Sequence, residues 1–218
     1  MPRLRAVLWD FGDTLFRRAG EHRSIMDAAA SLGHTVDEET ARRLWADIQT
    51  AARSAEERAK GRDLSAELHR LCWTALYRAA DVIGAGLAEA LYEMEADPKR
   101  WLPYADTVPV VDELAARGVP MGVVSDTGFD IRPIFENHGL RMQTFVLSYE
   151  HGALKPAPEL FQLACRDLDV EPSETLMVGD NPITDAGAIL SGLPTYLLPP
   201  AADRPERGLD AVLRIIGD

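Results

Sequence analysis

The sequence predicts an α/β fold: a doubly wound parallel sheet carrying an inserted, all-helical cap. Three observations point there. Short apolar runs at residues 4–9, 119–126 and 175–180 each close on a polar residue, and helix-length amphipathic segments separate the later ones. Between about residues 20 and 98 no convincing strand occurs. The first run has the composition of the later strands yet stands apart from them. The simplest arrangement is a core of residues 1–15 and 103–218 interrupted by a cap of residues 16–102.

The elements follow in order. Residues 4–9 (LRAVLW) read as a buried strand stopped by Asp10 and a glycine-containing turn. This run is too short for a secretory signal core. In the block that follows, Ile25, Ala29 and Leu32 share one helical face, as do Leu44, Ile48, Ala51 and Ala55. Leu64, Leu68, Leu71, Ala75 and Ala79 form another face, and Leu87, Leu91 and Met94 a fourth, with breaks at Gly33, Gly61 and the Gly84–Gly86 pair. About four helices are expected, their interleaved Arg and Glu facing water. After Trp101-Leu102-Pro103, helices are expected near 106–117, 131–138, 157–168, 183–191 and 208–216, with strands at 119–126, 144–148, 175–180 and 194–198. Strand–helix alternation of this kind implies right-handed crossovers and a parallel sheet covered on both faces.

Composition narrows the function classes. Of 218 residues, 46% are apolar and 27% charged, as in an ordinary folded protein. The net charge is −12 with no Lys/Arg-rich run, which argues against nucleic acid as a partner. No run approaches the roughly 20 apolar residues that span a bilayer, so no membrane partner and a cytoplasmic location are expected. Cys72 and Cys165 show no metal-binding spacing and read as buried free thiols. A monomer or a homodimer is expected.

In open α/β sheets ligands bind at the carboxyl ends of the strands. Asp10, Ser125 and Asp180 stand there. An aspartate at a strand end can serve merely as a turn former or cap. The ensemble is more specific. Asp10-Phe11-Gly12-Asp13-Thr14-Leu15, then Val123-Val124-Ser125-Asp126-Thr127, then Lys155-Pro156, then Gly179-Asp180-Asn181 with Asp185, resemble the four motifs of the haloacid dehalogenase superfamily, in its order and with an insertion where its type 1 cap lies. The resemblance covers the whole core.

It implies a hydrolase, in most cases a Mg²⁺-dependent phosphatase acting on a small phosphorylated substrate. Asp10 would be the nucleophile. Asp10, the carbonyl of Gly12, Asp180 and Asp185 would hold the metal. Ser125, the amide of Asp126 and Lys155 would hold the phosphoryl group. A compact ammonium suits simultaneous contact with a carboxylate and a phosphoryl oxygen. Asp185 can alternatively orient the segment after Pro182.

One position departs from the pattern. Phosphatases of this superfamily usually carry a second Asp two residues after the nucleophile as acid/base; here that residue is Gly12, and the acid stands at Asp13. In an extended segment a one-residue shift turns a side chain to the opposite side. Three readings stay open: Asp13 recovers the role through an unusual turn, the substrate has a good leaving group such as an acyl phosphate, or the chain is a catalytically weak or inactive binding protein. A 2-haloacid dehalogenase ranks below these, because such enzymes usually carry Tyr at that position and need no metal. Arg17, Arg18 and His22 are the nearest candidates to meet the substrate. The five histidines have no metal-ligand spacing and read mostly as surface residues, with His151 a candidate to line the site.

Overall fold

The computed structural model describes residues 3–201 and 204–217. Strand β1 (Ala6–Trp9) lies at the centre of a five-stranded sheet. The chain then forms β2 (Phe16–Arg18), five helices, α1 (His22–Ser31), α2 (Glu38–Ala52), α3 (Ala55–Ala59), α4 (Ala66–Tyr77) and α5 (Leu87–Glu95), and β3 (Trp101–Pro103). The remainder runs α6 (Thr107–Ala116), β4 (Met121–Ser125), α7 (Arg132–Asn137), β5 (Thr144–Leu147), α8 (Ser148–His151), α9 (Pro158–Asp167), β6 (Thr175–Gly179), β7 (Thr195–Leu197) and α10 (Asp210–Ile216).

The sheet order is β5-β4-β1-β6-β7, with every pair parallel. Side chains alternate between its faces as the pleat requires. Val7, Trp9, Val123, Leu176 and Val178 pack with α6, α7 and α10; Ala6, Leu8, Val124 and Met177 pack on the other side with α9. The helical block has its own core of Ile25, Ile48, Trp73, Tyr77, Leu87 and Leu91. Antiparallel pairing of β2 with β3 ties together the two strands of chain that enter and leave it. Among the described residues, no helix is long and apolar enough to cross a membrane. Both cysteines are buried and free.

The structure departs from expectation in three places. The face drawn through Leu44 to Ala55 is split, because Ser54 stops α2 and caps a short α3 by accepting from the Glu57 amide. In α4 the buried residues are His69, Cys72, Trp73 and Tyr77, whereas Leu71 is 65% exposed, so the helix is rotated from its predicted face. The helix expected at 183–191 is a turn followed by a 3₁₀ segment at Ala186–Ser191. There Asp185 accepts from the amides of Asp180 and Asn181, while Asn181 accepts from those of Ile183 and Thr184. Such side-chain bonds to nearby backbone replace the helical ladder.

Candidate active site

The site begins with a strand buried on both sides. The Asp10 amide donates to the Val178 carbonyl (2.9 Å), extending the β1–β6 ladder one residue and setting the Asp10 side chain at the carboxyl end of the central strand. Its two oxygens are held separately: Lys155 Nζ lies 2.6 Å from Oδ1, and the Thr14 hydroxyl donates to Oδ2 at 3.1 Å. The same ammonium reaches Asp185 Oδ1 at 2.6 Å. Asp185 Oδ2 accepts from the amides of Asp180 (3.0 Å) and Asn181 (2.9 Å), so this buried carboxylate positions both Lys155 and the loop after β6. Gly179 makes that possible, since a Cβ there would fall 2.3 Å from Asp185 Cγ. Asp126 Oδ1 accepts from the Lys155 amide at 2.9 Å and draws the lysine loop against the end of β4.

Together these residues floor a cavity of about 270 Å³. Asp10, Gly12, Ser125, Asp126, Lys155, Asp180 and Asp185 all line it. The roof comes from the helical block: Arg62 and Asp63 on the turn before α4, His69 and Trp73 on α4, and Glu95 at the end of α5. Trp101 and Phe129 close the side. Arg62 stacks 4.7 Å over the Trp73 ring and donates to the Ala52 carbonyl at 2.9 Å.

Charge in the cavity is unbalanced. Burial pushes the Asp10 carboxyl up to about 7, against the pull of Lys155 and with the push of Asp185 and Asp180. Burial likewise raises Asp180 to about 6, helped by Asp13 and Asp185. Lys155 is also buried, which favours loss of its proton, but Asp10, Asp185 and Asp126 hold its pKa well above the ordinary value. Three carboxylates therefore share one ammonium. Oxygens of Asp10, Asp180 and Asp185 lie within 4.8 Å of one another. Hard oxygen donors with surplus negative charge fit a divalent cation such as Mg²⁺.

Other expected residues are not brought into this cavity. Asp13 sits at φ 56°, a left-handed conformation that Asp tolerates better than most residues. Its amide donates to Phe16 O (2.8 Å) and its carbonyl accepts from Arg207 Nε (2.7 Å). The exposed Asp13 side chain lines a neighbouring cavity instead. Arg17 lines that cavity too. Arg18 is bound by Glu95 and flanked by the rings of Trp45, Trp73 and Trp101. His22 is buried with Glu38 3.5 Å away, and His151 is exposed. Among the histidines it is His69, expected at the surface, that reaches the cavity. Its Nδ1 lies 3.0 Å from the Tyr92 hydroxyl, and burial drives its pKa down to about 3, so the ring is neutral.

Sequence reasoning missed the whole roof. The polar pair Arg62-Asp63 between Gly61 and the helix-capping Ser65 was its one local signal.

A model of haloacid dehalogenase-like hydrolases matches residues 4–191. The haloacid dehalogenase-like hydrolase domain-containing protein 3 of Danio rerio is 30% identical over 213 residues, covering 89% of this chain and 85% of that protein. A ribulose-1,5-bisphosphate 5-phosphatase of Halopiger xanaduensis is 28% identical over 218 residues, covering 91% of this chain and 86% of its own. Among solved structures, the HAD-hydrolase YfnB of Bacillus subtilis, bound to magnesium, shares the fold with a TM-score of 0.74 at 19% identity, over 99% of this chain and 100% of that one.

Proposed function

The chain belongs to the haloacid dehalogenase-like hydrolase family, and we propose that it hydrolyses a phosphate monoester of a small metabolite, with Asp10 as nucleophile and Mg²⁺ as cofactor. One observation above all supports this reading: Lys155 bridges Asp10 and Asp185 at 2.6 Å each, beside Asp180, in a single small cavity. A dianionic phosphate could enter such a site only with added positive charge. The side chains of Asp10 and Asp180, the carbonyl of Gly12 and, behind them, Asp185 would hold the ion. When bound, it supplies neutralising charge to nucleophile and phosphoryl group.

The protein's own groups do the rest. Thr14 and Lys155 fix the rotamer of the Asp10 carboxylate, so attack on phosphorus starts from a pre-set geometry. Ser125, the Asp126 amide and Lys155 hold phosphoryl oxygens as charge shifts toward the leaving group. The ester P–O bond breaks as the bond from Asp10 forms, giving an aspartyl-phosphate that water hydrolyses. The proposed division is a core of residues 1–15 and 103–218 and a cap of residues 16–102, which closes to exclude bulk water.

A second reading, a binding protein without efficient turnover, draws on the position of Asp13 outside the cavity. Phosphate release from p-nitrophenyl phosphate separates the two. The activity should require Mg²⁺, vanish with chelator and be lost in Asp10→Asn. Full activity in that variant would place the nucleophile elsewhere. With no turnover against a broad phosphate panel, and no trigonal beryllofluoride adduct on Asp10, the binding reading would stand.

A further inference from the structure

An alkoxide leaving group needs a proton, and Gly12 cannot give one. Asp13 faces another cavity. The remaining carboxyl groups around the 270 Å³ space differ in what already holds them. Asp10 and Asp185 are bound to Lys155, and Asp180 stands in their cluster. Asp126 is tied to the Lys155 amide. Glu95 gives one oxygen to Arg18 and the other to the Tyr77 hydroxyl (3.0 Å).

Asp63 is held differently. Its side chain is 21% exposed, and its nearest polar neighbours, the Arg62 guanidinium (Nε at 3.6 Å) and the neutral His69 ring (Nε2 at 3.7 Å), lie beyond ordinary hydrogen-bond length. The residue is nonetheless firmly placed. Its carbonyl accepts a 2.6 Å hydrogen bond from Ser148 Oγ at the end of β5, which pins this cap turn to the core. Behind it, α4 approaches the core so closely that a Cβ on Gly128 would lie 2.1 Å from His69 Cβ.

We propose that Asp63 is the acid–base residue of the reaction, delivered by the cap in place of the carboxyl missing at position 12. The assignment rests on the phosphatase reading above. In the first step the bond from Asp10 to phosphorus forms, the ester P–O bond breaks, and the Asp63 proton passes to the departing oxygen, releasing an alcohol. In the second, water attacks phosphorus and gives a proton to the Asp63 carboxylate. The Asp10–phosphorus bond breaks, and phosphate leaves with both aspartates regenerated. Burial raises the Asp63 pKa to about 6; Arg62 opposes the shift, and Asp126 and Glu95 add to it. His69, also facing it, is neutral. A carboxyl poised near neutral pH can both give and take a proton.

The test compares steady-state and single-turnover hydrolysis of phenyl phosphate and p-nitrophenyl phosphate by wild type, Asp63→Asn and Asp63→Glu. Wild type should respond weakly to the leaving group. Asp63→Asn should lose about 10²–10⁴-fold on phenyl phosphate. On p-nitrophenyl phosphate it should keep a burst of one nitrophenol per enzyme followed by slow turnover, because that leaving group needs no proton while the attacking water still needs a base. Asp63→Glu should recover part of the loss. Equal losses on both substrates without a burst would mean a purely structural role and overturn the proposal. So would steepening in Asp13→Asn or Asp126→Asn with Asp63→Asn unaffected. A wild type that releases phosphate from neither ester would instead overturn the phosphatase reading, and this assignment with it.

Discussion

The floor and the roof of the cavity are built on opposite principles. Most floor residues sit at or just beyond the ends of β1, β4 and β6, buried strands whose ladder fixes the backbone, with Lys155 joining them from the loop between α8 and α9, and hydrogen bonds hold most of their side chains. Roof residues come from a turn, from a helix face and from a helix end, and they are set by contacts between the cap and the core. Chemistry shared by a family needs the first kind of precision. Selection of one organic group needs the second, which can change without disturbing the sheet.

The sharpest way to break the floor is Lys155→Met. It leaves the buried carboxylates of Asp10 and Asp185 facing each other without the ammonium between them. Loss of one partner from a buried ionic cluster costs about 3–5 kcal/mol. Urea unfolding should show that loss, together with loss of turnover.

The matching insult to the roof is Gly128→Ala. The new Cβ meets His69 Cβ, a backbone-proximal atom that cannot swing away, so the cap must shift. Overpacking of this kind costs about 1–3 kcal/mol. Turnover should fall, while beryllofluoride still forms its adduct on Asp10. Loss of that adduct would show that floor and roof are not separable.

A smaller effect should run in the opposite direction. Burial holds the Asp63 pKa at about 6 in the folded chain, above the ordinary aspartate value of about 3.8. At Asp63 the folded state therefore holds more proton than the unfolded one between these values, so this group's contribution to stability falls as pH rises from about 4 to about 6, in the same direction as those of Asp10 and Asp180. Asp63→Asn should show a shallower slope, lacking the Asp63 share of it. Above pH 6 it should be more stable than wild type, on the order of 1–2 kcal/mol after allowance for the partial exposure of the carboxyl. Melting temperatures measured across that pH range decide it. Comparable in size is Ser148→Ala, which removes both the bond to the Asp63 carbonyl and the acceptor of the buried Thr127 amide, at about 1 kcal/mol each. A raised KM with an intact floor would mark it as a cap-docking residue.

The floor was legible in the sequence because its signals are local. An apolar run ending in Asp10, Ser125 or Asp180 announces both the strand and the residue at its mouth, and β-sheet periodicity needs no knowledge of distant contacts. The roof was not legible, for reasons visible in α4. A helical face drawn through Leu68, Leu71 and Ala75 assumes that apolar residues turn inward. Packing instead buries His69, Trp73 and Tyr77 and leaves Leu71 in water, because Arg18, Glu95 and Tyr92 from other segments supply partners for polar groups inside. The failed helix at 183–191 has a similar cause: Asp185 spends its carboxylate on backbone amides and on Lys155, a partner 30 residues away. Asp13 stands in a left-handed turn, not in the extended segment that the one-residue rule assumes. That turn sets the carboxyl in the neighbouring cavity, close enough to raise the Asp180 pKa, and it is locked by Arg207, almost two hundred residues downstream.

Ser148 carries one further consequence. Its hydroxyl faces two carbonyls, that of Asp63 in the cap at 2.6 Å and that of Thr127 in the core at 3.1 Å, while its oxygen accepts from the Thr127 amide. With Asp63 as the proton carrier, lifting the cap dismantles the catalyst as well as unsealing it. The open enzyme keeps nucleophile and phosphate grip yet has no means of finishing the reaction, so substrate can be sampled and rejected without chemistry. Commitment then coincides with docking, and fidelity is set by how well an organic group lets one turn of chain settle onto one serine.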